Sequence, residues 1–385
     1  MKKNILTFIF ILFWFSGFSQ IIFGQNNFSE YHKGNLPIII SVPHDGSLNP
    51  SSIADRTCNN PTFAIDANTR NLAKFIDTAL FLLTGCHPHL IFCNLKRSKL
   101  DCNRNKSDGA CGNILAENAW TDFHNFIDSA QLNAQNNFGG KAFYIDLHGH
   151  GHSVQQLELG YLLTASELDF SDGVLNSPEY VGYSSIQNLV ANNVNSFTHS
   201  ELLRGTFAFG TLMANAGYPS VPSLQTPSLA GNPYFSGGYN TANHTSYAIG
   251  NSVNGFQLES NFNNIRDNYS NQKRFGDSIA KVMLNYLEIH ENINLLNCGT
   301  SGFYNLKKQE NIFIYPTILT ESNWVKIEGI YLNSEKFTLY NSKGQEVESG
   351  FVNSENKIFF QKNLNKGLYL IKIKSKPFTF KLMFN

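Results

Sequence analysis

Two apolar runs that each deliver a histidine at their end constrain this chain more than any other feature. Residues 36–42 are followed by Pro43 and His44, and residues 142–147 are followed directly by His148. Runs of this length, bounded by Gly, Pro, Asn or charged residues, read as buried strands. In an open sheet with helices on its faces, side chains leaving the carboxyl ends of strands gather at one crevice. Two imidazoles brought there make a metal site a concrete expectation. Further buried strands are expected at 159–163 and 255–258. Helical spacing recurs in Leu72, Phe75, Ile76, Ala79, Leu80 and Leu83, and again in Phe275, Ile279, Val282, Met283, Tyr286 and Leu287. The alternation predicts an α/β fold with a mixed sheet flanked by helices.

The length of 385 residues accommodates an enzyme-sized domain and a small module. Lys+Arg and Asp+Glu number 29 each, so the composition carries no electrostatic bias toward nucleic acid or an anionic membrane, and no polynucleotide partner is expected. Lys2 and Lys3, an apolar stretch over 5–18 and a small or polar zone ending near Gly24 and Gln25 have the layout of a secretory leader. Residues 1–25 are therefore set aside as a signal peptide. The apolar stretch is broken by Ser16 and Gly17 and is shorter than the roughly 20 residues that span a bilayer. No later run is long and apolar enough to cross, so no stable membrane span is expected and the chain is predicted to be secreted or cell-surface. In an oxidising compartment its six cysteines can pair, and Cys102 with Cys111 is the local pair expected across a polar loop. No C-x-x-C spacing favours a thiolate zinc site.

Residues 225–252 are rich in Asn, Ser, Gly and aromatic side chains without a clear period, a composition and length that suit a site-building loop. Around 293–308 the character changes to short alternating runs with turn signals, which places a boundary near residue 305. The expected organisation is an enzyme domain over 26–304 and a small all-β sandwich over 305–385. Tyr315-Pro-Thr, Phe337-Thr-Leu-Tyr-Asn-Ser-Lys-Gly-Gln-Glu346 and Leu364-Asn-Lys-Gly-Leu-Tyr-Leu-Ile-Lys-Ile373 follow one another in order. Together they resemble the type A sorting domain of type IX secretion. That resemblance implies the type IX secretion machinery as a partner of the C-terminal module; a generic β-sandwich binding module is the other reading.

Four groups of residues could carry chemistry. His44 stands in Ser41-Val-Pro-His-Asp-Gly46, and His148 opens His-Gly-His-Gly-His152, where His150 and His152 could equally form a surface tract with adventitious metal affinity. A catalytic zinc commonly takes a third protein ligand and leaves one position open. Asp66, at the start of the first predicted helix, can turn back as that ligand or serve as a cap, with Asp45 and Asp55 as alternatives. The segment Arg97-Ser-Lys-Leu-Asp101-Cys-Asn103-Arg104-Asn105 offers two guanidiniums for a substrate carboxylate or an oxyanion. Glu259 ends the strand-like Gly255-Phe-Gln-Leu and could act as general base and acid.

Taken in order, the Pro-His-x-Gly turn at His44, Asp66, Arg97 before Asp101-x-Asn-Arg104, Asp146-Leu-His148, Tyr234-Phe-Ser-Gly-Gly-Tyr239 and Gln257-Leu-Glu259 resemble the N-formylglutamate amidohydrolase family, a relative of the zinc carboxypeptidases. The likeness runs from about residue 36 to 290. It implies a zinc carboxypeptidase or phosphorylase/hydrolase-like fold and one zinc ion per chain held by His44, Asp66 and His148. It further implies Glu259 as base and acid, Arg97 as the oxyanion partner, and Asn103 with Arg104 as the substrate-carboxylate site. The expected substrate is a small N-acyl amino acid or a peptide. The export leader and C-terminal module depart from an intracellular enzyme, so the acyl group stays open. A zinc carboxypeptidase or peptidoglycan peptidase, and a non-catalytic surface-binding protein, are the rival readings.

Overall fold

The computed structural model describes residues 20–229, 231–296 and 298, and, within 313–384, all but 316–317, 320–322, 329–331, 333, 362–363 and 374–378. Two compact units divide the chain, Met1–Phe303 and Tyr304–Asn385.

The first unit is built on a mixed eight-stranded sheet. Its strands are β1 (Gln20–Phe23), β2 (Ser29–Lys33), β3 (Ile38–Val42), β4 (His89–Cys93), β5 (Phe143–His150), β6 (Leu157–Gly160), β7 (Ser220–Val221) and β8 (Asn254–Asn261). They lie in the order β1-β2-β4-β3-β5-β8-β6-β7. The four central strands β4, β3, β5 and β8 run parallel, and β2 and β6 flank them antiparallel. Central parallel strands are covered on both faces and therefore carry apolar side chains in both directions. The period of two assigns them: Ile38, Ile40 and Val42 join one core, whereas Ile39 joins the other.

The helices follow from that division. On the first face lie α1 (Thr69–Thr84) and, after α2 (Lys106–Ala110), α3 (Ile114–Asn137) covers the second. Six short helices follow: α4 (Ala165–Leu168), α5 (Asp172–Leu175), α6 (Pro178–Tyr183), α7 (Gln187–Asn192), α8 (His199–Arg204) and α9 (Phe209–Asn215). The last two of the unit are α10 (Tyr239–His244) and α11 (Tyr269–Glu291). Leu72, Ile76 and Leu80 of α1 are fully buried, each contributing about 1.5–3 kcal/mol relative to exposure. Gly276 lets α11 approach α1, since a side chain there would meet the backbone of Phe75.

Two sequence expectations need correction here. β1 begins at Gln20, pairs with β2, and is followed by a hydrogen bond from Gln25 N to Asp122 Oδ2. The folded unit therefore reaches into the range assigned to the leader, whose remaining residues 1–19 lie outside the described residues. The cysteine pairing also differs. Cys111 bonds to Cys58 and Cys86 to Cys298, while Cys93 and Cys102 are buried free thiols. Cys102 points into the core of the α3 face, and Cys111, at the left-handed C-cap of α2, turns the other way toward the loop carrying Cys58.

The second unit is all-β. Its strands are β9 (Phe313–Tyr315), β10 (Ile318–Leu319), β11 (Trp324–Glu328), β12 (Lys336–Asn341), β13 (Glu346–Phe351), β14 (Lys357–Phe359), β15 (Gly367–Ile373) and β16 (Thr379–Phe384). A five-stranded sheet β10-β16-β15-β12-β13 and a three-stranded sheet β14-β11-β9 bury one shared core, with Val325, Ile327 and Ile358 from the smaller sheet and Leu339, Ile371 and Leu382 from the larger. This is the small sandwich expected, although residues 301–312 around the expected boundary, and Pro316 and Thr317 of the first sorting motif, lie outside the described residues.

Candidate metal centre

The candidate site forms on the α3 face of the sheet, at the carboxyl ends of its parallel strands. Period two puts Asp146 and His148 of β5, and Gln257 and Glu259 of β8, on the side opposite Leu147 and Leu258, which enter the other core. Pairing sets His148 beside Glu259. His44 follows β3 by two residues, and its carbonyl accepts from the Asp66 backbone N–H at 3.1 Å, which brings the segment before α1 over the strand ends.

His44, Asp66 and His148 come together as a buried group that could hold a metal ion. His44 Nδ1 lies 3.3 Å and His148 Nδ1 2.9 Å from the same Asp66 Oδ2. The outer nitrogens are held by two further buried carboxylates, His44 Nε2 by Asp101 Oδ1 and His148 Nε2 by Asp146 Oδ2, each at 2.7 Å. A carboxylate behind an imidazole fixes its tautomer and leaves the inward nitrogen free to ligate. Tetrahedral zinc, with bonds of about 2.0–2.1 Å, holds its ligand atoms roughly 3.3 Å apart, a spacing this group already matches. Two imidazoles and a carboxylate are also a donor set that zinc accepts.

The alternatives to Asp66 are used elsewhere. Asp45 Oδ2 accepts from the Arg70 N–H in the first turn of α1, and Asp55 is exposed and bonded to Ser98 and Lys99.

Electrostatically the group is a buried anionic cage. Burial alone would raise the carboxyl of Asp66, but His44 and His148 outweigh it and hold it below the usual carboxylate range. Asp101 is held low in the same sense against its burial, by His44, Arg97 and Arg56. Burial would strip the proton from His148, yet Asp146, Asp66 and Glu259 keep it well above the ordinary histidine value. A cation entering here would replace that proton, so uptake expels it. Glu259 is pushed up to about 7, first by its own burial. Its Oε1 accepts from Gln257 Nε2 at 2.9 Å and lies 4.0 Å from His148 Nδ1, while its buried Oε2 has no hydrogen-bond partner among the described residues.

The remaining expected residues are placed unequally. Arg97 Nε donates to Asp101 Oδ2 at 3.0 Å, and its NH1 stands 3.9 Å from Asp66 Oδ1. Arg104 is partly exposed, with Nε 3.5 Å from Asp101 Oδ2. Asn103 is already engaged, accepting from Asn240 N at 2.8 Å with its Nδ2 3.3 Å from Gln257 Oε1 and 3.2 Å from His148 Nε2. Gly238 packs so closely on Asn103 that any side chain there would collide with it. The loop before α10 thus packs on Asn103. Buried Arg56, within 3.6 Å of Asp101, was not singled out in the sequence, and no local pattern marks it.

No family model matches the chain, and no curated protein does. Among solved structures it is similar to a protein described as "putative carboxypeptidase A" from Shewanella denitrificans OS-217, at 11% identity and a TM-score of 0.27. It is similar also to a metallo-carboxypeptidase from Pseudomonas aeruginosa in complex with (2-guanidinoethylmercapto)succinic acid, at 8% identity and a TM-score of 0.27. Each alignment covers 67% of this chain and 60% of the other, so the chain spans less than two thirds of the length of either.

Proposed function

We propose that this chain is an exported zinc-dependent hydrolase that cleaves an amide bond next to a carboxylate-bearing amino acid, in the manner of N-formylglutamate amidohydrolases. One observation carries the reading: two buried imidazoles turn their Nδ1 atoms to a single Asp66 oxygen while buried Asp101 and Asp146 orient them from behind. His44, Asp66 and His148 would hold the ion. When bound, zinc supplies Lewis acidity and a water whose pKa falls toward about 7.

The protein's own groups do the rest. Glu259, whose unpartnered Oε2 is buried beside the cluster, takes the proton of the attacking water and passes it to the leaving amine nitrogen. Arg97 stands close enough to Asp66 to reach a developing oxyanion at the same centre. Arg104 keeps part of its guanidinium exposed for the substrate carboxylate, with Asn103 positioning the loop opposite. Two disulfides suit delivery to an oxidising compartment, and no helix among the described residues is long and apolar enough to cross a membrane. The C-terminal sandwich is proposed to serve type IX sorting.

Elemental analysis of the purified chain beside His148→Ala tests the reading, with hydrolysis of N-formylglutamate, other N-acyl amino acids and peptides followed in parallel. Loss of one zinc ion per chain together with turnover is expected in His148→Ala. Release of C-terminal residues from peptides alone would redefine the enzyme as a carboxypeptidase. Full turnover by a metal-free chain, or no turnover of any substrate class by the zinc-loaded chain, overturns the proposal.

A further inference from the structure

We propose a second divalent-cation site, formed by His150, His152 and Glu158, separate from the His44, Asp66 and His148 group. The three side chains bring one ligand atom each into a single cluster that could hold a metal ion. They come from the end of β5, the loop beyond it and β6, so only the folded sheet brings them together.

The orientation of His150 and of Glu158 is fixed from outside. His150 Nε2 lies 2.8 Å from the Gln156 carbonyl, which only accepts, so Nε2 carries the proton and Nδ1 keeps its lone pair. That Nδ1 stands 3.9 Å from Glu158 Oε1, and His152 Nδ1 stands 2.7 Å from the same oxygen. The other oxygen, Oε2, accepts from Phe235 N at 2.9 Å. One carboxylate oxygen thus faces two imidazole Nδ1 atoms, as one does at Asp66, while its twin is tied to the backbone. The separations of 2.7 and 3.9 Å bracket the roughly 3.3 Å between ligand atoms on tetrahedral zinc. A cation would displace two existing contacts, the hydrogen bond from His152 N to His150 Nδ1 at 3.1 Å and the one between His152 Nδ1 and Glu158 Oε1 at 2.7 Å.

Burial and charge favour occupancy. Glu158 is 1% exposed, and among the described residues its ion-pair partners are these two imidazoles. A buried carboxylate needs a compensating positive charge. His152 is only partly buried, so the cluster opens on its side and leaves a coordination position for water or an anionic group. Two imidazoles and one carboxylate select zinc or a similar borderline divalent ion over calcium or magnesium, which prefer oxygen ligands.

The test uses the untagged full chain, loaded with zinc, dialysed and measured by elemental analysis as wild type, His148→Ala, His152→Ala and Glu158→Gln. Two zinc ions per chain are expected in the wild type and one in each variant. Near-ultraviolet circular dichroism checks that each is folded, and His152→Ala, at a partly exposed position, keeps the test available where Glu158→Gln does not fold. Zinc in His152→Ala equal to wild type, or a single wild-type ion lost only with His148, overturns the second site. A single wild-type ion kept by His148→Ala and lost by His152→Ala upholds it and removes the first site instead.

Discussion

At the scale of single residues, the candidate centre depends as much on the groups behind the imidazoles as on the imidazoles themselves. Asp146 receives His148 Nε2, Ser41 Oγ and Asn240 Nδ2, so its whole carboxylate is committed to orientation. Asp146→Asn is expected to weaken zinc binding by about 10–100-fold, as loss of such partners does elsewhere, which chelator competition would measure. Glu259→Gln should keep zinc and lower kcat by about 10²–10⁴, the range for a lost general acid–base; unchanged kcat in the zinc-loaded variant would remove Glu259 from the chemistry. His44 and His148 were legible because a short apolar run ends on each. The part played by Asp146 was not read, although its place two residues before His148 on a strand sets both on one face. Asp101 sits in a polar loop with no period, and only the folded chain shows that it receives His44.

Among the elements, legibility followed hydrophobic contrast. The strands β3, β5 and β8 and the helices α1 and α11 carry strong apolar patterns, and each was expected close to its observed place. The 24-residue α3 was not, because its buried stripe includes Ala116, Ala119, Ala130 and Ala134 among only a few larger residues. Alanine packs well against a sheet but barely stands out from the neighbouring Asn, Asp and Gln. β2 escaped for a related reason: Ser29-Glu-Tyr-His-Lys33 is polar on most positions and gains its place by pairing with β4. The start of α3 gives a direct check, since Asn113 Oδ1 accepts from both Leu115 N and Ala116 N. Asn113→Ala should destabilise the first unit by about 1 kcal/mol, seen as a lower urea midpoint at constant m-value.

For the whole molecule, buried neutral histidines set the response to acid. Burial pushes His89 down to about 4 and His124 down to about 3, against about 6.5 in an unfolded chain. Between those values the unfolded chain binds more protons at these two positions, so the stability they contribute is full above about pH 6.5 and falls as the pH drops toward 4. Glu259, pushed up to about 7, works in the opposite sense over this window, so the histidine contribution is read as a difference: from pH 6.5 to 5 the melting temperature of wild type should fall relative to that of His89→Gln. Parallel profiles of wild type and His89→Gln over this window would refute the assignment.

The Cys86–Cys298 bond spans 212 positions and joins the residue just after α1 to the tail beyond α11. Its consequence is mechanical. Any pull that reaches Cys298 from the C-terminal side crosses directly to Cys86, between α1 and β4. Tension then bypasses α11, which cannot be peeled from the sheet one turn at a time. A chain pulled from its C-terminal end would in this way keep the helix that packs on α1 out of the line of force.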